Sequence, residues 1–349
     1  MKSKTFVMPF IVGTEPMKRL LIADFENDNE YTAIEPQLFD DEINGKGLRI
    51  LVYRTDKFVD IYHQKGVRIN QETFCIGEGI GVLQEKIIEP DLFQINQNGV
   101  DLHVAFRDKK DRLIEMRVKE SATSKKRLSF LAPVGNDIKH PKQLFLAYMK
   151  DFDFVLKNNT VFYAKVGNRN LKPSNFPLLR NGKKVFFARY SNNPEVGTIN
   201  PPMKLPLVLD SVKSGLVETA GLSIQFREEK VISIKPEGND KNISVEFPDG
   251  MPNLLDLQEG TDYEGKWMYK TDNHIITGGT YNFLKIGEKI DVQINVARKW
   301  IPQNLPIFLN LFTFFVKTFR NWPATYFWKG RVDLSDGMAM SGEWYRTGA

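Results

Sequence analysis

The chain has 349 residues, 42% of them hydrophobic and 26% charged, which suits about two packed domains and excludes a disordered chain. A single cysteine, Cys75, excludes an intrachain disulfide framework and a multi-cysteine zinc site, and the absence of any apolar run of about 18 residues excludes a spanning helix. The net charge of +5 is modest, and the basic residues fall in short clusters such as Lys109-Lys110-Asp111-Arg112, Lys125-Lys126-Arg127 and Lys183-Lys184, so no basic stripe argues for nucleic acid.

At the start, Lys2 and Lys4 precede an apolar stretch at residues 6–12. Pro9 and the lack of a small-residue cleavage site make this a first strand or packed arm rather than a secretory signal. Residues 48–54 and 58–64 read as a hairpin. Cys75, between Phe74 and Ile76, reads as a small buried apolar residue. Gly77, Gly79 and Gly81 lack the Lys-Ser/Thr ending of a phosphate loop and fit a bulge or tight turn.

A meander follows. Asn98-Gly99 suits a tight hairpin turn, and beyond it Val100, Leu102, Val104 and Phe106 alternate with polar residues. A turn at residues 108–111 leads to a strand in which Ile114, Met116 and Val118 share a face. Residues 152–156 and 161–166 form a further hairpin around Asn158-Asn159. Pro194, Pro201, Pro202 and Pro206 then stiffen the chain, which places a domain boundary near residue 200.

The second half repeats the style, with strands expected at residues 222–226, 231–235 and 243–247, the last two separated by Gly238-Asn239-Asp240. Strands at 267–270, 275–284, 290–299, 326–334 and 338–345 follow. Many short strands between turn signals indicate sandwiches or barrels, and no strand–helix alternation supports a doubly wound sheet. The exception is residues 305–319, a dense apolar stretch with Pro306 at its start and Pro323 beyond its end. The spacing predicts a helix with Asn310, Thr313, Lys317 and Arg320 on one face and Phe308, Leu309, Phe312, Phe315, Val316 and Phe319 on the other. Its plain role is to close a core with the apolar face. A partner interface and shallow membrane docking are the alternatives.

Gly265-Lys266-Trp267 resembles the G-x-W signature on the first strand of lipocalins, and Gly342-Glu343-Trp344 repeats its spacing. The resemblance covers part of the second half. It implies an antiparallel barrel around an apolar ligand, and its two-domain relatives include cofactor-free enzymes acting on carotenoid-like or polyketide-like substrates.

Aromatic side chains gather in the second half, and Trp267, Tyr269, Tyr326 and Trp328, with Phe312 and Phe315 of the helix, are the candidate ligand-binding residues. Filling a barrel interior is the plainer use of the same rings. Among four histidines no H-x-x-x-H pair exists, so no local metal site is expected. His63 shares a strand face with Val59 and Ile61 and joins the ligand-binding candidates, with a satisfied core histidine as its plainer role.

The expectation is an all-β chain of two antiparallel barrel or sandwich domains, residues 1–200 and 201–349, with one amphipathic helix at 305–320. The expected function is binding of an apolar or lipid-like small molecule in a β-barrel cavity. A cofactor-independent isomerase, hydratase or cyclase is the alternative, and a structural or interaction module the third reading. No cofactor, metal or nucleic acid is expected. The expected location is cytoplasmic, with a peripheral membrane contact through the 305–320 helix open to it. The oligomeric state is not legible.

Overall fold

Period-2 alternation carries most of the chain into antiparallel strands, and helical structure is confined to short segments. The computed structural model describes residues 4–74, 76–121, 127–134, 138, 140–237, 242–272, 274–303 and 305–347. Lys2, Cys75, Lys125, Lys126 and the Gly238-Asn239-Asp240 turn lie outside the described residues, as does the Phe308 side chain. The all-β class stands. Every sheet has open edges, so no barrel closes among the described residues.

The chain forms two units, and they are discontinuous in sequence, unlike the expected division at residue 200. One comprises Met1–Thr14, Leu131–Ala147 and Glu195–Ala349; the other comprises Glu15–Phe130 and Tyr148–Pro194. The proline-rich stretch does begin at a crossing point. Periodicity could not reveal that the N-terminal arm belongs with the second half, because that is decided by tertiary contacts.

In the Glu15–Phe130 and Tyr148–Pro194 unit, Arg19–Glu26, Tyr31–Asp41, Gly45–Arg54 and Val59–His63 run antiparallel in sequence order, and Ile80–Glu85 adds to Val59–His63 in parallel. The expected meander is present as Asp91–Asn96, Gly99–Arg107 and Leu113–Glu120, and Thr160–Val166 pairs with the last of these. All of these strands except Ile80–Glu85 contribute to a common apolar core that includes Leu21, Ile34, Ile50, Val104 and Met116. Val59, Ile61 and Leu51 form a separate small cluster against Phe74, Ile76 and Ile80.

The other unit is built on nine antiparallel strands in strict sequence order, from Gly215–Thr219 to Ala339–Arg346. Its inward positions are large: Phe247, Trp267, Tyr269, Tyr281, Phe283, Trp328 and Trp344 are all buried. The N-terminal arm packs into this unit. Lys4–Met8 pairs with Leu207–Ser211, and Val12–Thr14 pairs with Glu195–Ile199. Phe10 is fully buried, with ring centroids 5.0 Å from Phe247 and 5.6 Å from Tyr281.

Two asparagines hold the arm's backbone by the same device. Asn253 accepts from Val7 N at 2.9 Å and donates to Thr5 O at 2.8 Å. Asn200 accepts from Ile11 N at 2.9 Å and donates to Pro9 O at 3.0 Å. A carboxamide carries one acceptor and two donors, so each satisfies an N–H and a C=O two residues apart, as a neighbouring strand would.

Candidate functional site

The aromatic face and the helical segment of the nine-stranded unit hold most of the expected site residues. In Asp262–Thr271, Gly265, Trp267, Tyr269 and Thr271 alternate with outward residues, and all four are buried. Gly265 faces Tyr281 across the ladder, and a Cβ at Gly265 would stand 2.3 Å from that ring. Gly342 pairs with Gly330, and a Cβ on either would stand 2.1 Å from the Trp328 indole. In both G-x-W tripeptides the glycine leaves room for a neighbouring strand's ring.

The tryptophans and tyrosines are tied in place. Trp267 Nε1 donates to Asn295 O at 3.2 Å, and Trp344 Nε1 donates to Asn200 O at 3.0 Å. Tyr269 lies against Gly197 so closely that a Cβ there would be 2.0 Å from its hydroxyl oxygen. That hydroxyl is buried without a hydrogen-bond partner among the described residues. Burial, with the Glu195 charge adding to it, holds the phenol well above its ordinary pKa. Tyr326 continues the face outward, with Trp344 at 6.2 Å and Trp322 at 5.4 Å between ring centroids.

The helical segment departs from expectation in two ways. The helix is not continuous over 305–319: it runs Ile307–Phe315, breaks at Val316, and resumes as the single turn Thr318–Asn321. Its faces also follow expectation only in part: Leu309 is buried and Asn310 and Lys317 are exposed as expected, but the outward side is apolar as well. Thr313 is fully buried while Phe315 is 75% exposed, with Ile307 at 81%, Phe314 at 61% and Leu311 at 51%. Positions 307, 311, 314 and 315 are one stripe at helical spacing, so an apolar ridge faces outward.

Thr313 sits inward as part of a polar group that satisfies itself. After the break, Arg320 turns back and donates from Nη2 to Asn310 Oδ1 at 2.6 Å and Asn310 O at 3.0 Å. Its Nε and Nη2 both reach Thr313 Oγ1 at 3.3 Å. Asn310, Thr313 and Arg320 thus bind one another, and Leu309 is buried beside them. The sequence on either side of the ridge carries one sign of charge. Residues 292–332 hold six basic residues, Arg298, Lys299, Lys317, Arg320, Lys329 and Arg331, and no Asp or Glu.

The expected ligand-binding residues therefore separate into three groups. Trp267, Tyr269, Tyr326 and Trp328 share one buried face. Phe312 is half-buried, 5.3 Å from Phe319 between ring centroids, and Phe315 stands on the ridge. His63 belongs to the other unit, half-buried at a strand end with Nδ1 3.1 Å from Gln64 O.

No family model, curated protein or solved structure matches this chain. The geometry of its own residues therefore carries the functional argument.

One cluster in the Glu15–Phe130 and Tyr148–Pro194 unit was not anticipated. Buried Glu35 accepts from Tyr53 Oη at 2.5 Å and from Gln37 Nε2 at 2.6 Å. Gln37 Oε1 accepts from Arg49 Nε at 2.5 Å, and Arg49 Nη2 reaches Glu15 Oε1 at 2.5 Å. Burial pushes the Glu35 carboxyl up, while the bonds from Tyr53 and Gln37 oppose it. The i, i+2 pair Glu35 and Gln37 was the only signal in the sequence, since the pairing with Arg49 comes from register.

Proposed function

We propose that this protein works at an anionic lipid surface and that its ligand is apolar or lipid-like, with the Ile307–Phe315 ridge as the contact. One observation carries the reading: an apolar helical stripe faces outward within forty-odd residues that contain only basic charges. An apolar stripe exposed to water is unfavourable by roughly 25 cal/mol per Å². It becomes favourable when it enters an acyl boundary. Each nearby Lys or Arg adds about 1 kcal/mol at an anionic surface. Arg298, Lys299 and Lys317 are exposed and free to do this. A cytoplasmic location, as expected from the sequence, would supply such a surface.

The described residues include no helix long and apolar enough to cross a membrane, and interfacial contact requires none. Vesicle co-sedimentation tests the proposal. Wild type should pellet with phosphatidylserine-containing vesicles, less so at high salt, and weakly with phosphatidylcholine alone. A Phe314→Asp, Phe315→Asp variant should stay in the supernatant by at least tenfold with an unchanged melting temperature, because both rings are already exposed. Equal partitioning of the two proteins would overturn the proposal.

A further inference from the structure

The outward face of the nine-stranded sheet carries a second feature, opposite in chemistry to the ridge. Between strands Asp262–Thr271, His274–Ile286 and Lys289–Val296 lies an open groove of about 460 Å³, within the usual range for small-molecule sites of ~300–1,000 Å³. Strand register arranges its lining in rows: Asp262 beside Leu284 and Asp291, Glu264 beside Asn282 and Gln293, and Thr280 beside Asn295. Pleat geometry makes this lattice roughly 10 Å across the strands and roughly 13 Å along them.

Its chemistry narrows the ligand. Leu284 is the only apolar side chain in the lining, which argues against a greasy ligand. The lining itself holds no cationic side chain, and of the two cations that the neighbouring strand sets beside it Arg331 is paired with Asp291 and Lys329 lies over the Phe327 ring, which argues against phosphates and carboxylates. Among the described residues no group of three His, Cys, Asp or Glu can hold a metal ion. Two of its three carboxylates are already engaged: Asp262 with Asn282, and Asp291 with Arg331 at 2.6 Å. The side chains of Thr280, Gln293, Asn295 and Glu264 have no partner among the described residues, and they offer donors and acceptors together. The Asn295 row continues into Phe327, whose ring stacks on Tyr345 at 5.1 Å and 15°.

We infer that this groove binds a neutral polyhydroxylated ligand, a saccharide of one to a few rings. Adjacent hydroxyls each donate one hydrogen bond and accept others, which carboxamides and one free carboxylate match. This site is independent of the lipid-surface reading and uses none of the ridge residues.

Isothermal titration with maltotetraose, cellotetraose, chitotetraose and mannotetraose, and with spermine as a cationic comparison, tests it. At least one tetrasaccharide should bind with little salt dependence. Gln293→Ala with Asn295→Ala should weaken it at least tenfold, and Phe314→Asp with Phe315→Asp should leave it unchanged. Gln293 and Asn295 are exposed, so the variants should keep the wild-type melting temperature. The inference is overturned if no tetrasaccharide binds, if the groove variants bind as wild type does, or if only spermine binds and Glu264→Gln abolishes that.

Discussion

Glu35 is a carboxyl whose surroundings oppose its ordinary ionisation. It is buried, and loss of solvation raises its pKa despite two short hydrogen bonds. An acid raised in the folded state favours folding most when protonated. Its contribution is therefore fully present below the ordinary Glu value of about 4.3, and is lost as pH rises through the higher folded value. Glu30 has the opposite sign, because its bonds to Arg112, Lys110 and Arg169 hold its carboxyl far below the ordinary range. That contribution is lost as pH falls below the ordinary value. Glu35→Gln keeps the shape and removes the titration. Urea midpoints measured from pH 4 to pH 8 should show wild type losing stability relative to the variant as pH rises, with a shared loss on the acid side. Parallel profiles would mean that Glu35 keeps the same protonation in both folded and unfolded chains.

At the scale of elements, the strands were legible and their neighbours were not. Alternation located Gly99–Arg107, Leu113–Glu120 and most of the nine-stranded unit. It missed Tyr31–Asp41, which is buried on both faces over its middle and contains Pro36, so it shows no clean period of 2. The G-x-W tripeptides were visible, but their use was not: register alone sets Tyr281 opposite Gly265 and Trp328 over Gly342. Gly265→Ala should cost about 1–3 kcal/mol by overpacking, with Gly342→Ala similar, measured as a shift in urea midpoint at constant slope. An unchanged midpoint would mean that the rings swing aside freely. The 305–319 stretch teaches the same lesson in a helix. Periodicity identifies a stripe and its opposite, but not which of them faces water. Here Leu309 turns inward as expected, Thr313 joins it because Arg320 folds back onto it and Asn310 after the break at Val316, and Phe314 and Phe315 stay outside.

At the scale of the whole molecule, the discontinuity of the units has a mechanical consequence. Phe10 of the N-terminal arm is buried against the aromatic inner face of the nine-stranded sheet. Phe10 sits among Phe247, Tyr281 and Trp267, the last at 6.5 Å between ring centroids. Phe10→Ala should therefore destabilise this unit by about 3–5 kcal/mol, the usual cost of emptying a fully packed aromatic site. A fragment of residues 201–349 loses more: the arm, the Asn200 clamp and the strand Glu195–Ile199 that pairs with Val12–Thr14. It should keep strand content in far-ultraviolet circular dichroism, lose its near-ultraviolet signal, bind anilinonaphthalene sulfonate and melt without a sharp transition. A cooperative melt of that fragment at the full-length temperature would show that the arm is an addition to a finished sheet. The expected loss instead makes the arm part of the core, so that Phe10, between Lys4–Met8 and Val12–Thr14, fills space that a ligand would take in a closed barrel.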